Sequence, residues 1–298
     1  MANNPILKDL SGNGHDATCY NFAWSGMSGI GGYIEDFKNA WYNLETEGTI
    51  DMWSHNSFVL TSTAGHNTAS IIYTNRDNIT LKFKVSGLTE GDIIINQRNP
   101  FERVLTITED GIYEVQLNRC GITSSTQRDS CNIKIELIPE YPNALVSDGV
   151  NDYCRVDGLP LLTDYTVIAK RKRLDIDLGH RGALASKLPL GNSNNGAFAF
   201  EFSAADNAKQ AISFGTFSNI NFEETDISYQ TKNYYNRINI QSGNQLDTDH
   251  LSLFSIRERD GCAQAALYSF ILFDRTLTEE EIRYVMNKYN LLEGIDEI

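Results

Sequence analysis

The chain reads as an all-β protein of antiparallel strands with one short helix near its C-terminus. Three observations predict this. Ile79, Leu81, Phe83 and Val85 alternate with polar neighbours, which is the period of a half-buried strand. Tyr and Phe number 14 each, among 22 Gly and many Asn, Thr and Ser, a composition suited to strands joined by tight turns. Residues 267–273 are apolar at nearly every position, as a strand covered on both faces must be.

The helix follows that last strand. Thr278 is an N-cap with Glu281 three places on, the pattern of a capping box. Glu279 and Glu280 place negative charge in the first turn, where the helix dipole favours it. Ile282, Val285, Met286 and Tyr289 then recur on one face. A helix this short is expected to plug or flank a sheet.

Length and charge set limits. A chain of 298 residues accommodates two domains. A net charge of −14 leaves no basic surface for nucleic acid or for anionic membranes, and no run of sequence approaches the length of a membrane span. Neither nucleic acid nor membrane is therefore expected as a partner. The cysteines, Cys19, Cys120, Cys131, Cys154 and Cys262, include no CxxC pair, so a structural zinc site is not expected. They read as free, partly buried thiols, although Cys120 and Cys131 flank a polar loop and could face each other across a hairpin. Met1-Ala2-Asn3-Asn4-Pro5 leads into polar sequence without the apolar segment of an export signal.

In chain order, Asp9-Leu10-Ser11-Gly12-Asn13-Gly14-His15-Asp16 is a compact turn, with Gly for positive φ and Asp and Asn for side-chain-to-backbone bonds. Asp9, Asn13 and Asp16 also offer the oxygens that calcium takes. Calcium is the one cofactor the sequence brings into view, and turn chemistry alone accounts for the same residues. The glycines of residues 21–33 are too irregular for a dinucleotide fingerprint and lack its strand-then-helix context. This stretch reads as a loop pinned by Phe22 and Trp24. Trp24 either packs its indole or offers a platform for stacking a sugar.

The texture changes over residues 45–142. After the strand through Ile79–Val85 positions come turns at Ser86-Gly87 and Glu90-Gly91-Asp92, then a strand at Ile93-Ile94-Ile95. Residues 104–108 and Tyr113, Val115 and Leu117 flank Glu109-Asp110-Gly111, a hairpin around an Asp-Gly turn. Ile133, Ile135 and Leu137 make one more alternating strand, and Pro139-Glu140-Tyr141-Pro142 closes the segment. It is expected to be a small, separate β-sandwich, jelly-roll-like in texture.

At Asn143-Ala144-Leu145-Val146-Ser147-Asp148-Gly149-Val150-Asn151-Asp152-Tyr153 a buried strand runs into a turn. Asp148 and Asp152 are either metal ligands or turn formers. Tyr165, Val167 and Ala169 alternate before Lys170-Arg171-Lys172-Arg173, a run that is either a site for an acidic partner or glycan carboxylate, or a solvated strand end. Phe198, Phe200 and Phe202, then Ile212 and Phe214, Ile238 and Ile240, and Leu251 and Leu253 continue as a meander. Polar loops separate these strands, at the ends of the sandwich where function usually sits.

Three of these stretches resemble laminin-G-like domains of the concanavalin A-like lectin fold. Asp9-Leu10-Ser11-Gly12-Asn13-Gly14 is similar to the family's opening. Residues 144–153 are similar to its first core strand, with Ser147 where Phe is usual. Residues 267–282 resemble its closing strand and short helix, with every element of the pattern present. The resemblance implies an antiparallel β-sandwich formed by residues 1–44 and 143–298, a discontinuous domain with the smaller sandwich of residues 45–142 inserted.

A search for catalytic chemistry finds little. Glycosidases on this fold carry Glu-x-Asp-x-x-Glu on one strand, and no such motif occurs. Glu201 is the best isolated acid, but its nearest acidic follower, Asp206, lies in a loop. Glu223, Glu224 and Asp226 cluster in another loop. There is no Gly-x-Ser-x-Gly elbow, and His15, His55, His66, His180 and His250 form no metal-binding pair.

No catalytic residue is therefore expected, and no ligand-binding residue is fixed. The chain is also similar in texture to proteins of gut Bacteroidales and their phages. Together these resemblances imply a non-catalytic virion protein on a capsid or tail surface, contacting cell-surface glycans or other virion proteins, and forming homo-oligomers in some settings. The alternatives are a cell-associated carbohydrate-binding module and a concanavalin-like glycoside hydrolase. A particle assembled in a host cytoplasm fits both the free thiols and the missing export signal. Removal of a leader fits the second as well.

Overall fold

The computed structural model describes residues 4–44, 48–51, 53–62, 71–98, 100–125, 131–160, 164–174, 182–187, 198–202, 234–242, 250–255, 261–275 and 277–291. The chain divides into two compact units. The first comprises residues 1–24, 28–30 and 143–298, the second residues 25–27 and 31–142.

In chain order, the first unit opens with strands β1 (Ile6–Leu7), β2 (Ala17–Tyr20) and β3 (Gly29–Ile30). The second holds helix α1 (Phe37–Ala40) and strands β4 (Tyr42–Leu44), β5 (Gly48–Asp51), β6 (Ser57–Ser62), β7 (Ile71–Tyr73), β8 (Ile79–Ser86), β9 (Asp92–Arg98), β10 (Phe101–Ile107), β11 (Gly111–Leu117), β12 (Cys120–Ser125) and β13 (Cys131–Leu137). The first resumes with β14 (Leu145–Asp148), β15 (Tyr153–Val156), β16 (Asp164–Arg173), β17 (Gly182–Lys187), β18 (Phe198–Phe202), β19 (Tyr234–Ser242), β20 (Leu251–Leu253), β21 (Gln264–Phe273) and helix α2 (Glu279–Lys288). The fold is mostly β, its described strand pairs are antiparallel, and a short helix lies near the C-terminus.

The first unit has a six-stranded sheet, β1-β2-β15-β20-β17-β18, and a five-stranded sheet, β19-β16-β21-β14-β3. This order is not the meander read from the sequence. β20 lies between β15 and β17, and β18 and β19 belong to different sheets. Ile212 and Phe214 lie outside the described residues. Both sheets feed one hydrophobic core, with Cys19, Cys154, Leu184 and Leu253 from one, and Leu145, Ala169, Ala265 and Leu267 from the other.

Strand β21 is inner in its sheet, between β16 and β14. Its two faces go to two apolar clusters. Leu267, Phe270 and Leu272 join the shared core, while Ile271 and Phe273 meet Ile168 of β16 and the buried residues Ile282, Val285 and Met286 of α2. The pairing Ile168↔Ile271 beside Ala169↔Phe270 explains the division, because neighbouring residues of a strand face opposite ways. The capping box forms: the Glu281 amide donates to Thr278 Oγ1 at 3.3 Å, and the Thr278 amide donates to Glu281 Oε2 at 2.8 Å. Arg275 adds two bonds to the same carboxylate. Tyr289 does not share the apolar face. It is the C-cap and half exposed, and Leu291 packs with the cluster instead.

The basic run makes the last four residues of β16, and it is not the solvated end that the sequence suggests. Arg171 is 1% exposed and pairs across to Leu267, on the core face. Lys170 is half-buried with its ammonium over the Tyr268 ring. Strand alternation thus splits the run between two faces, and it makes no continuous basic patch.

The second unit has two five-stranded sheets, β10-β9-β12-β7-β4 and β11-β8-β13-β6-β5. Ile93, Ile95 and Ile122 of the first, and Phe58, Leu81, Phe83 and Ile135 of the second, are fully buried in one core. Residues 31–44, assigned from sequence to the outer domain, belong here, because Phe37 and Trp41 sit in this core and β4 pairs with β7. The expected Asp-Gly hairpin is absent. β10 pairs with β9 and β11 with β8, so the connection passes between sheets. Asp110 instead accepts the amides of Gly87 and Leu88 at 2.9 and 2.8 Å, holding the turn after β8. Cys120 and Cys131 do not face each other across a hairpin either, for their strands also lie in different sheets.

Ile135→Ala empties a fully buried position, and should cost about 2–5 kcal/mol. Thr278→Ala removes only a cap bond and should cost about 1 kcal/mol. Urea unfolding followed by far-ultraviolet circular dichroism measures both.

Candidate functional site

In the first unit, the loop leaving β2 meets the turn that carries the chain from β14 to β15. Tyr20 and Tyr153, cross-strand partners, stack with ring centroids 4.8 Å apart and planes 11° from parallel. The Asn21 amide nitrogen donates to the Asn151 carbonyl at 2.9 Å. The Ala23 amide donates to Ser28 Oγ at 2.8 Å. Trp24 leans on Phe22, centroids 5.4 Å apart, and Phe22 meets Phe254 edge-on within the core. The indole is 37% exposed and Val150 is 73% exposed. Trp24 is therefore packed against Phe22 and still partly exposed.

The backbone here is strained. Asn21 and Trp24 have φ of 65° and 55°. Asn tolerates that region, but for a bulky residue it is an outlier that the surroundings must hold in place. Gly29, at φ +130°, gives the loop room, since a Cβ there would stand 3.0 Å from Trp24 Cα.

The facing turn is built by its acids. Asp148 Oδ1 accepts the Val150 amide at 2.8 Å, and Asp152 Oδ2 accepts the Asp148 amide at 3.0 Å. Asp152 is fully buried, and burial pushes its carboxyl above the ordinary range. Both residues thus act as turn formers. Ser147, the departure from the family pattern, is buried. Its hydroxyl donates to the Ala263 carbonyl and accepts the Ala265 amide at 3.3 Å.

Two of the calcium candidates, Asp9 and Asp16, are likewise committed to the chain. Asp9 accepts the Ser11 amide and hydroxyl, both at 2.8 Å, and the His15 amide at 3.0 Å. These bonds, the Ser11 hydroxyl first, hold its carboxyl down at about 2. Asp16 accepts Lys8 and the Asp9 amide, and the Asn13 amide turns back to Ser11 Oγ. Among the described residues, no three His, Cys, Asp or Glu side chains converge as metal ligands would. The side chain of Glu201, together with Asp206, Glu223, Glu224, Asp226, His66 and His180, lies outside the described residues.

Sequence reasoning misses a buried acid in the second unit. Glu35 is 3% exposed, and receives Arg76 through two bonds of 3.0 Å and the Trp41 indole at 3.3 Å. Burial raises its carboxyl above the ordinary range, against the pull of Arg76. Next to it, Asp36 caps α1 and takes His55 Nδ1 at 3.0 Å. No motif marks Glu35, because its partner is 41 residues away.

A comparison with protein-family models gives no match, and one with curated proteins gives none either. Among the described residues, no helix is long and apolar enough to cross a membrane.

Gly149 has φ +77°, and a Cβ there would come within 2.8 Å of Gln264 Cβ. Gly149→Ala should therefore cost about 2 kcal/mol, from the left-handed backbone and the contact together, read as a lower urea midpoint. Arg76→Ala leaves buried Glu35 uncompensated, and should cost about 1–3 kcal/mol at neutral pH. A carboxyl that holds its proton more tightly folded than unfolded favours folding at low pH, and loses that advantage as pH rises through its folded value. The Arg76→Ala loss should thus shrink as pH falls through the raised folded value of Glu35, and be smallest by the ordinary Glu value of 4.5, as urea titrations across pH would show.

Proposed function

We propose that the chain is a non-catalytic recognition protein, its first unit a concanavalin A-like, laminin-G-like sandwich and its second a jelly-roll-like one. The shared core of two antiparallel sheets supports the first assignment. So does the placing of the family-like residues on β14, β21 and α2. The single observation that carries the functional reading is Trp24, a partly exposed residue held at positive φ in the same loop as Asn21, whose side chain bonds to Asn151. An aromatic plate flanked by amides suits a sugar, whose C–H face stacks on the ring while its hydroxyls bond to the amides. The ligand class is a neutral glycan of a cell surface, since the basic run offers no anion site on one face. By its resemblance to phage proteins, the chain sits on a virion surface, contacting other virion proteins and assembling as a homo-oligomer.

A glycan array tests this directly. Wild-type protein should bind a set of glycans, and Trp24→Ala should weaken that binding roughly tenfold, the loss of about 1.4 kcal/mol of stacking. Binding unchanged in Trp24→Ala, with circular dichroism also unchanged, removes the loop as the site.

A further inference from the structure

We propose that Cys19 and Cys154 are an oxidisable pair that closes into a cross-strand disulfide, joining β2 to β15. The two sulfurs lie 3.1 Å apart, and the residues are direct partners in the antiparallel register. The Cys19 amide donates to the Pro5 carbonyl at 2.9 Å, on the side of β2 away from β15. The pair is therefore of the non-hydrogen-bonded kind, in which facing α-carbons stand about 4.5 Å apart. That falls within the span of roughly 4.4–6.8 Å that a disulfide bridges without backbone movement. Both side chains are on the core face. No third ligand joins them among the described residues, which leaves cross-linking rather than metal binding as their joint chemistry.

The oxidant is a small-molecule disulfide. The thiolate of one cysteine attacks it, forming a mixed disulfide and releasing one small thiol. The second thiolate then displaces the other small thiol. Two protons leave the protein, two electrons pass to the reagent, and one sulfur–sulfur bond forms. Both thiols are at most 1% exposed, so the exchange waits on local opening. The edge beside them is slight: β1 contributes two residues, and among the described residues only β2 pairs with it. Such an edge opens at lower free energy than the rest of a sheet. The bond would tie the N-terminal piece of the first unit to the strand that follows the insertion, across 135 residues of sequence.

The test uses the full chain, unfolded in urea and refolded in a buffer of oxidised and reduced glutathione. Remaining thiols are then alkylated, and the protein is digested and mapped by mass spectrometry. The expected product is a peptide pair linked through Cys19 and Cys154, lighter by two hydrogens and opened by dithiothreitol. The thermal midpoint of the oxidised protein should be several degrees above that of the reduced one. A variant carrying Cys120→Ser and Cys262→Ser should keep the link, and Cys19→Ser should lose both the link and the redox dependence of the midpoint. Cys19 and Cys154 recovered fully alkylated, or linked only to other cysteines, would overturn the proposal. Because mapping uses the unsubstituted chain, that outcome is decisive even if Cys19→Ser fails to fold.

Discussion

A strand packed on both faces must have its backbone paired on both edges and its side chains covered from two sides. β21 imposes this on the first unit, fully at Ala265–Leu267 and in part over the rest of the strand. Its amides and carbonyls, out of water, find partners in β14 and β16. Its inner face requires the six-stranded sheet, and its outer face requires α2. The small residues Ala265 and Ala266, both fully buried, let the neighbours approach closely at the start of the strand. Where the chain enters β21, Ser147 supplies the polar group that the Ala263 carbonyl and Ala265 amide need. A Phe at that position would fill more volume but leave those backbone groups to find other partners.

The same need for backbone partners explains the placing of six Asp residues. Asp9, Asp16, Asp36, Asp110, Asp148 and Asp152 each accept at least one backbone amide in a turn or cap. Where strands change sheets, amides lose their ladder partners, and a short carboxylate is the side chain that reaches them. Each such bond contributes about 1 kcal/mol net, and leaving a buried amide unpaired costs more. Each of these six Asp thus takes the place of a missing strand partner, the calcium candidates Asp9 and Asp16 and the metal candidates Asp148 and Asp152 among them.

Local signals in the sequence are legible and distant ones are not. The alternation of β8 and β13, the apolar run of β21 and the capping box of α2 are each contained within about ten residues, and each forms as its pattern predicts. Asp110-Gly111 has the pattern of a hairpin because its flanks alternate, yet the flanks pair with β9 and β8 in separate sheets. Hydrophobic period tells which face of a strand is buried, and is silent on which strand lies beside it. The same limit hides Arg171, whose neighbours in sequence are all basic and whose neighbour across the sheet is Leu267. One distant pairing does leave a trace. Cys19-Tyr20 and Tyr153-Cys154 mirror each other, and in an antiparallel register a mirrored pair places like against like. Of the loop site, Trp24 is visible as a residue type, but its positive φ and its setting against Phe22 depend on contacts that only the fold supplies.

Those contacts bear on what the loop can do. A left-handed backbone at Trp24 costs on the order of 1–3 kcal/mol and persists only when surrounding bonds over-determine it. Here they do: Asn21 is tied to Asn151, Ala23 to Ser28, the indole rests on Phe22, and Phe22 is anchored on Phe254 in the core. A free loop would relax to a commoner conformation and bury the ring more completely. Holding it half open spends stability, and under the proposed function a partner would meet a surface that needs no further ordering. Weak ligands such as sugars gain most from this, because they offer few contacts to offset the entropy of fixing a loop. On the recognition role proposed above, the strain at Trp24 is what presenting the ring costs, a cost that packing alone could have avoided with an ordinary turn.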